Sequence, residues 1–269
     1  WGNYAPQRSG NRYTNTTSTF TDHWNYYDVS EDCLNLNVWT PSPDAKKRPV
    51  LVWFHGGGFT SGNSIEQDGY NGNNLSREGD IVFVSVNHRL GPMGFSDLSA
   101  FGEKYAYSGN VGVMDLVAAL KWGKENIENF GGDPGNVTIM GQSGGGSKVS
   151  ILASMPACKG LIHKGVALSG NSTGGVNKEY AEALGEYIVA EAGLQPSEID
   201  KLQEMPWEEY YELAKAASSK FNKIYSGTIG RGGFSPVGDG IDIPEGTLYN
   251  PEDSSLPDIP SVSSALSGK

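Results

Sequence analysis

Two segments of this chain have residue types and spacing that could do chemistry: Gly141-Gln142-Ser143-Gly144-Gly145 and His55-Gly56-Gly57-Gly58-Phe59. In the first, glycines flank a serine, as a tight strand-to-helix turn requires when strand and helix run too close together for a Cβ. Such a turn strains the serine backbone and lifts its hydroxyl into the open. The helix after the turn adds N-terminal amides and a dipole that favour negative charge developing nearby. In the second segment, consecutive glycines let successive backbone N–H groups turn toward one carbonyl oxygen. The chemistry this pair could perform is attack of a serine hydroxyl on an acyl carbon, with the resulting oxyanion held by backbone amides. Alone, the serine pentad is a weak signal in a chain with 37 glycines. The second motif, leaving a different strand upstream, gives it weight. His55 reads as a structural residue of its loop rather than as a base.

The flanking elements must place these segments side by side. Val137-Thr138-Ile139-Met140 runs directly into the serine turn, and Ser147 to Ser154 can continue it as a helix. Pro49 to Phe54 leads into the histidine-glycine segment, and Ile81 to Val86 is a second apolar run. Continuous β-branched and aromatic runs of this length suit strands covered on both faces of a parallel sheet. Leu34, Leu36 and Val38 alternate with Asn35 and Asn37, the period of a half-buried strand. Gly165 to Leu168 is a further short strand. Val113, Leu116, Val117 and Leu120 fall at i, i+3, i+4 and i+7, which predicts an amphipathic helix. This alternation of strand and helix predicts an α/β fold, a mostly parallel open sheet with helices on both faces. Tyr180, Leu184, Tyr187 and Ile188 mark one later helix, and Tyr210, Leu213, Ala214, Ala217 and Phe221 another. Together they predict a helical insert over about 176–224, lying on the sheet rather than in it. Residues 1 to 30 read as irregular, and the prolines after Ser226 forbid long helices there.

At 269 residues the chain fits one domain spanning 1–269. The 31 acidic against 20 basic side chains give a net charge of −11, which repels phosphate backbones and anionic lipid alike. The expectation is therefore no nucleic-acid partner and no membrane partner. The longest apolar run is strand-sized, well short of a span. Trp1 stands first and no basic leader with an apolar core comes after it. Any targeting peptide is thus expected to be absent or already removed, and beyond a lean to the cytoplasm the sequence carries no address. Asn15-Thr16-Thr17, Asn136-Val137-Thr138 and Asn171-Ser172-Thr173 fit the glycosylation pattern but carry little weight in an Asn- and Thr-rich chain.

The two motifs are embedded in longer matches. Ser30 to Pro41, Gly56 to Gly62, Asn87-His88-Arg89-Leu90-Gly91, Ala119 to Gly146, Leu168-Ser169-Gly170 and Val237-Gly238-Asp239-Gly240 together resemble the type B carboxylesterases of the α/β-hydrolase superfamily. The resemblance covers nearly the whole chain. It implies Ser143 as nucleophile, the amides of Gly57, Gly58 and Gly144 as the oxyanion hole, and a small-molecule carboxylic ester as substrate. No metal or cofactor is implied. Gln142 and Gly144 stand where many members have glutamate and alanine, which leaves both roles intact because the amide does the work. Ala5, before Pro6-Gln7, stands where secreted relatives carry the cysteine that pairs with the one matching Cys33. Cys33 is thus expected to be a buried thiol, and Cys158 to be reduced as well.

A serine hydroxyl attacks esters at neutral pH only when a histidine takes its proton and a carboxylate orients that histidine. In this fold both come after the nucleophile, yet His163 is the one histidine after Ser143 and belongs to a strand-entry segment. His23, His55 and His88 are no better placed. The resemblance puts the acid just beyond a strand following Ile259-Pro260, at about Lys269, where the chain stops. The triad acid and histidine are thus not found in this chain, which reads as a partial hydrolase domain, incomplete at both ends. They are expected on a complementary polypeptide or a chain continuation. The edge after the Gly165 to Leu168 strand is expected to lie uncovered and to make the chain poorly soluble alone. Two functions stay open: a serine ester hydrolase, and a non-catalytic binding or adhesion relative of the same fold.

Overall fold

Alternation and β-branching decide where the backbone extends, and in chain order the elements are β1 (Leu36–Trp39), β2 (Arg48–Phe54), α1 (Asn73–Gly79), β3 (Val82–Val86), α2 (Gly91–Phe95), α3 (Val111–Asn126) and β4 (Gly132–Gln142). They continue with α4 (Gly144–Ser154), β5 (Lys164–Leu168), β6 (Val176–Asn177), α5 (Lys178–Glu191), α6 (Lys201–Glu204), α7 (Trp207–Tyr225), β7 (Val237–Gly238) and β8 (Ser261–Ser264). This computed structural model describes residues 1–8, 28–225, 232–246, 248 and 260–264. Most of the irregular N-terminal stretch, with Asn15-Thr16-Thr17 and His23, lies outside the described residues, as do Pro251, Pro257 and Lys269.

Six strands form one sheet in the order β1-β3-β2-β4-β5-β8. β1 runs antiparallel to β3, with Leu36 opposite Val86, and the other pairings are parallel. The parallel register sets Val50 beside Val82 and Val137, and Val52 beside Val84 and Ile139. These six side chains share one face and are buried with Val113, Leu116, Val117 and Leu120 of α3, the four residues of the amphipathic period. Each contributes on the order of 1.5–3 kcal/mol by leaving water. The opposite face carries Leu51, Trp53 and Phe83. Trp53 meets the ring of Tyr70 at 5.1 Å, Phe83 meets Trp39 at 5.6 Å, and Gly72 lies so close to Phe83 that a methyl there would stand 2.3 Å from its ring. The segment leading into α1 thus covers this second face, and the doubly covered sheet is the predicted one.

Two polar links fasten the N-terminal half of α3 to distant parts of the chain. Asp115, buried on the helix, accepts from the backbone N–H of Arg89 at 2.9 Å and from its guanidinium at 2.9 and 2.6 Å. Asn110, just before the helix, donates to the Val237 carbonyl at 2.9 Å and accepts from the Val237 N–H at 2.8 Å. Its amide also donates to Asp239 at 3.0 Å.

The segment predicted as a helical insert forms β6, α5, α6 and α7, and β6 pairs with β7 in a ladder separate from the large sheet. Asn177 caps α5 by accepting from the Tyr180 N–H. Phe221 of α7 packs edge-on against Tyr180 and Tyr187 of α5, and Tyr210 donates to Ser96 Oγ at 2.7 Å, tying α7 to the end of α2. One expectation is corrected: β5 is not left as an uncovered edge. β8 pairs with it in parallel, Gly165 opposite Ser261 and Leu168 opposite Ser264.

Cys33 and Cys158 are both buried and unbridged. Burial pushes the Cys33 thiol up to about 11 and the Cys158 thiol up to about 12, which suppresses the reactive thiolate at neutral pH. Alkylation of the folded protein is therefore expected to spare both, and alkylation after denaturation to label both, read by peptide mass mapping. A Cys33 or Cys158 peptide that resists alkylation even when denatured would show a bridge instead.

Candidate active site

Between β4 and α4 stands one residue, Ser143, with φ 58° and ψ −123°. A non-glycine residue held there carries a cost of about 1–3 kcal/mol and persists only where its surroundings over-determine it. They do so here. The Ser143 N–H donates to the Leu168 carbonyl at 2.8 Å, and its own carbonyl accepts from Ser147 N–H at 3.1 Å. The end of β5 presses on the same residue: a methyl on Gly170 would stand 1.7 Å from the Ser143 carbonyl oxygen, and Ser147 Oγ donates to the Gly170 carbonyl at 2.7 Å. The flanking glycines answer to close approach. A methyl on Gly141 would stand 2.4 Å from the backbone of Gly145, and one on Gly145 would stand 2.1 Å from the Phe54 carbonyl.

Phe54 ends β2, and the histidine-glycine segment begins at the next residue. Gly57 and Gly58 have φ of +85° and +64°, conformations that side chains rarely adopt. The loop closes through the Gly57 carbonyl, which accepts from Ser61 N–H at 3.2 Å and Thr60 N–H at 3.4 Å. The two motifs touch: a methyl on Gly144 would stand 2.4 Å from Gly58 Cα, and one on Gly56 would stand 3.6 Å from Ser143 Cβ. Gly57, Gly58, Gly144 and Ser143 are thus gathered at one place, the C-terminal ends of β2 and β4. Helix amides in the first turn have no acceptor within the helix, so the start of α4 places backbone donors beside Ser143. Such an arrangement can expose a hydroxyl to an acyl carbon while amides face the carbonyl oxygen.

Residues that the motifs did not single out hold this loop. Gln7 donates to the Gly62 carbonyl at 2.9 Å and accepts from the Gly62 N–H at 2.8 Å, so its amide pairs with the backbone as a strand would. Gly91 N–H donates to the Phe59 carbonyl at 2.7 Å, and Asn87 Oδ1 accepts from Ser64 N–H at 2.9 Å. Lys148 of α4, fully buried, donates from Nζ to the His55 carbonyl at 2.9 Å and lies 5.7 Å over the ring of Phe59. Burial pulls its pKa down to about 7, against an upward pull from buried Glu66. The sequence did hold a signal for Lys148, a single charge in the otherwise uncharged run Gly144–Ser154.

His55 and His88 are buried and stacked at 5.1 Å, their Nδ1 atoms 2.8 and 2.9 Å from the carbonyls of Gly56 and Arg89. Burial, with Lys148 and His55 nearby, holds His88 well below its ordinary value, which keeps it neutral. His163 accepts at Nδ1 from Val137 N–H at 3.1 Å, at the middle of β4. Ser143 lies six residues further along, about 20 Å away at the rise of a strand. His163 is therefore not brought to the serine, whereas His55 and His88 turn Nδ1 to backbone carbonyls. Among the described residues no group of three or more His, Cys, Asp or Glu side chains could hold a metal ion, and no helix is long and apolar enough to cross a membrane.

A mostly parallel sheet flanked by helices, with a glycine-framed serine turn leaving its centre, is the architecture of the α/β-hydrolases. Residues 3–261 match the model of the Carboxylesterase family, and the chain belongs to that family. It is 45% identical over 188 residues to para-nitrobenzyl esterase of Bacillus subtilis (strain 168), a match covering 70% of this chain and 37% of that protein. It is 34% identical over 226 residues to phenmedipham hydrolase of Pseudarthrobacter oxydans, covering 84% of this chain and 43% of that one. Among solved structures, an esterase from Clostridium hathewayi described as able to hydrolyse aliphatic aromatic polyesters superposes with a TM-score of 0.77 at 38% identity. That match covers 98% of this chain and 52% of the other. The chain thus spans about half the length of its solved relative, and less of the two curated ones.

Replacing Gly145 tests the packing at the turn. In Gly145→Ala the new methyl meets the backbone of Phe54 and His55, so α4 must move off β2. A loss of about 1–3 kcal/mol in thermal unfolding is expected, the range for overpacking a close contact. Unchanged stability would show that the helix and strand are not in contact there.

Proposed function

We propose that this protein is a carboxylic ester hydrolase acting through Ser143. In this reading Ser143 Oγ attacks the acyl carbon and passes its proton to a histidine. The amides of Gly57, Gly58 and Gly144 hold the oxyanion of the tetrahedral intermediate. Collapse breaks the ester bond and releases the alcohol, which takes the proton back from the histidine. Water, deprotonated by the same histidine, then cleaves the acyl-enzyme to give the carboxylic acid and regenerate Ser143. The acid and histidine of the triad would lie in polypeptide beyond these residues, on a continuation of this chain or a complementary one. No metal or cofactor enters the scheme.

The observation that carries the reading is the contact between Gly58 and Gly144 beside a serine held at positive φ. Backbone strain of this kind costs stability and clusters at active sites, which favours the catalytic reading over the binding one. The names of the relatives agree with it, since both curated proteins are hydrolases or esterases.

The test uses the full protein in which these residues occur. A fluorophosphonate probe is expected to label Ser143 alone, as read by peptide mapping, and Ser143→Ala to abolish turnover of short-chain aryl esters without lowering the melting temperature. Activity should rise with pH through about 6.5, because the base works only as the neutral imidazole. A protein that takes no label, or a Ser143→Ala variant that keeps its esterase activity, would move the assignment to the binding or adhesion relative.

A further inference from the structure

Lys148 is a fully buried ionisable side chain that the ester-hydrolysis scheme leaves without a task. It stands one helical turn after Gly144, and residues four apart lie on the same helix face. That face meets the glycine loop. Through Gly144 the helix touches the backbone of Gly58, and through Lys148 it reaches the two residues that bracket the three glycines. His55, immediately before them, gives its carbonyl to Nζ at 2.9 Å, and Phe59, immediately after them, lays its ring against the ammonium at 5.7 Å.

An uncharged side chain of similar size would fill this space with less desolvation. A lysine at 0% exposure is therefore an expensive way to pack a helix. What it adds is a grip on both ends of a segment whose middle has little of its own. Gly56, Gly57 and Gly58 have no side chains, so their conformation has to be imposed from outside. Other contacts fix the loop further on, at Phe59 by Gly91 and at Gly62 by Gln7. The Lys148 contact to the His55 carbonyl reaches the loop on the strand side of the glycines.

We propose that Lys148 is a positioning residue for ester hydrolysis, clamping His55 and Phe59 so that the amides of Gly57 and Gly58 stand in register with that of Gly144 around the substrate oxyanion. The proposal rests on the esterase reading of Ser143. The clamp acts only through the loop. It therefore governs stabilisation of the tetrahedral intermediate and leaves ground-state binding of the ester unchanged.

The decisive comparison is wild type against Lys148→Met in the full protein, with active sites counted by fluorophosphonate titration. Methionine keeps the volume and removes both the donor and the charge. The expected result is a fall in kcat per titrated site of roughly ten- to a hundredfold, the range for a misplacement of about 1 Å in a catalytic group, with KM within about twofold. Inhibition by an aryl trifluoromethyl ketone, which becomes a tetrahedral oxyanion on the serine, should weaken by the same factor as kcat/KM. A purely structural lysine would lower the melting temperature or the fraction of titratable sites and leave both ratios per site untouched. Should Lys148→Met fail to fold, Phe59→Leu decides, because it removes the ring and leaves the ammonium. It should show the same split with a smaller fall, and an unchanged kcat in Phe59→Leu would then overturn the proposal. A labelled wild type with unchanged kcat and ketone inhibition in Lys148→Met overturns the clamp and leaves the esterase reading standing. A wild type that takes no label overturns the esterase reading, and the clamp falls with it.

Discussion

The rest of the structure answers to one steric constraint: α4 starts within contact distance of the end of β2, so closely that Gly145 has no room for a Cβ beside the Phe54 carbonyl. The strand that feeds the helix, β4, lies next to β2 in the sheet. The chain must therefore turn from strand to helix in one residue, and that residue takes a positive φ. Glycine is needed on both sides of the turn because strand and helix backbones meet there. The segment leaving β2 inherits the same crowding. It passes against Gly144 through glycines, two of them in conformations that residues with side chains rarely adopt.

Backbone held in this way has to be fixed by its surroundings, and here much of the fixing is polar. Gln7, Asn87 and Lys148 hydrogen-bond the backbone in or just after the loop, and Asp115 holds the Arg89 segment whose Gly91 N–H does the same. Buried polar groups tolerate little displacement, because a broken bond leaves a donor or acceptor out of water. An apolar scaffold can slide at small cost, whereas this one has discrete partners. The turn and the loop are in this sense positioned by hydrogen-bond geometry, while the sheet beneath them is held by the packing of valines and leucines on α3.

The parts legible in the sequence were those governed by local pattern. The two-residue period of Leu36 and Val38 placed β1, the β-branched runs placed β2 and β3, and the 3.6-residue period of Val113 to Leu120 placed α3. The serine turn and the glycine loop were legible because a motif records a local steric demand. What escaped was set by distance along the chain. Gln7 pairs with Gly62 across 55 positions, and nothing about an isolated glutamine announces a backbone partner so far away. The extension of β4 back to Gly132 was hidden by Asp133-Pro134-Gly135, which reads as a turn, although Gly132 pairs with Arg48 past a register shift. A strand after Ile259-Pro260 came from the resemblance alone, because Ser261 to Ser264 is short and hardly apolar, and its pairing with β5 was not legible.

The strand order has a consequence for how the molecule is made. β1 and β2 are consecutive in the chain but are separated in the sheet by β3, which pairs with both. A nascent chain that has just delivered β1 and β2 therefore holds two strands that must wait, and a hairpin between them would have to open again to admit β3. β4 then adds to the far side of β2 and β5 to β4, each addition creating the edge that the next strand uses. Gln7, the glycine loop, the Asn87 to Gly91 segment, the serine turn and Gly170 all emerge before α5, α6 and α7. At a synthesis rate of about 5–20 residues per second, roughly 3–11 seconds separate Gly170 from the end of α7 at Tyr225, so they can begin to assemble before the last of these helices is complete. Among the described strands β8 follows, pairing with β5 across the longest connection between neighbours in the sheet, and the entropy of that closure grows only with the logarithm of its length. Long additions between β5 and β8 are therefore cheap in stability, whereas a single inserted residue between β4 and α4 would have nowhere to go.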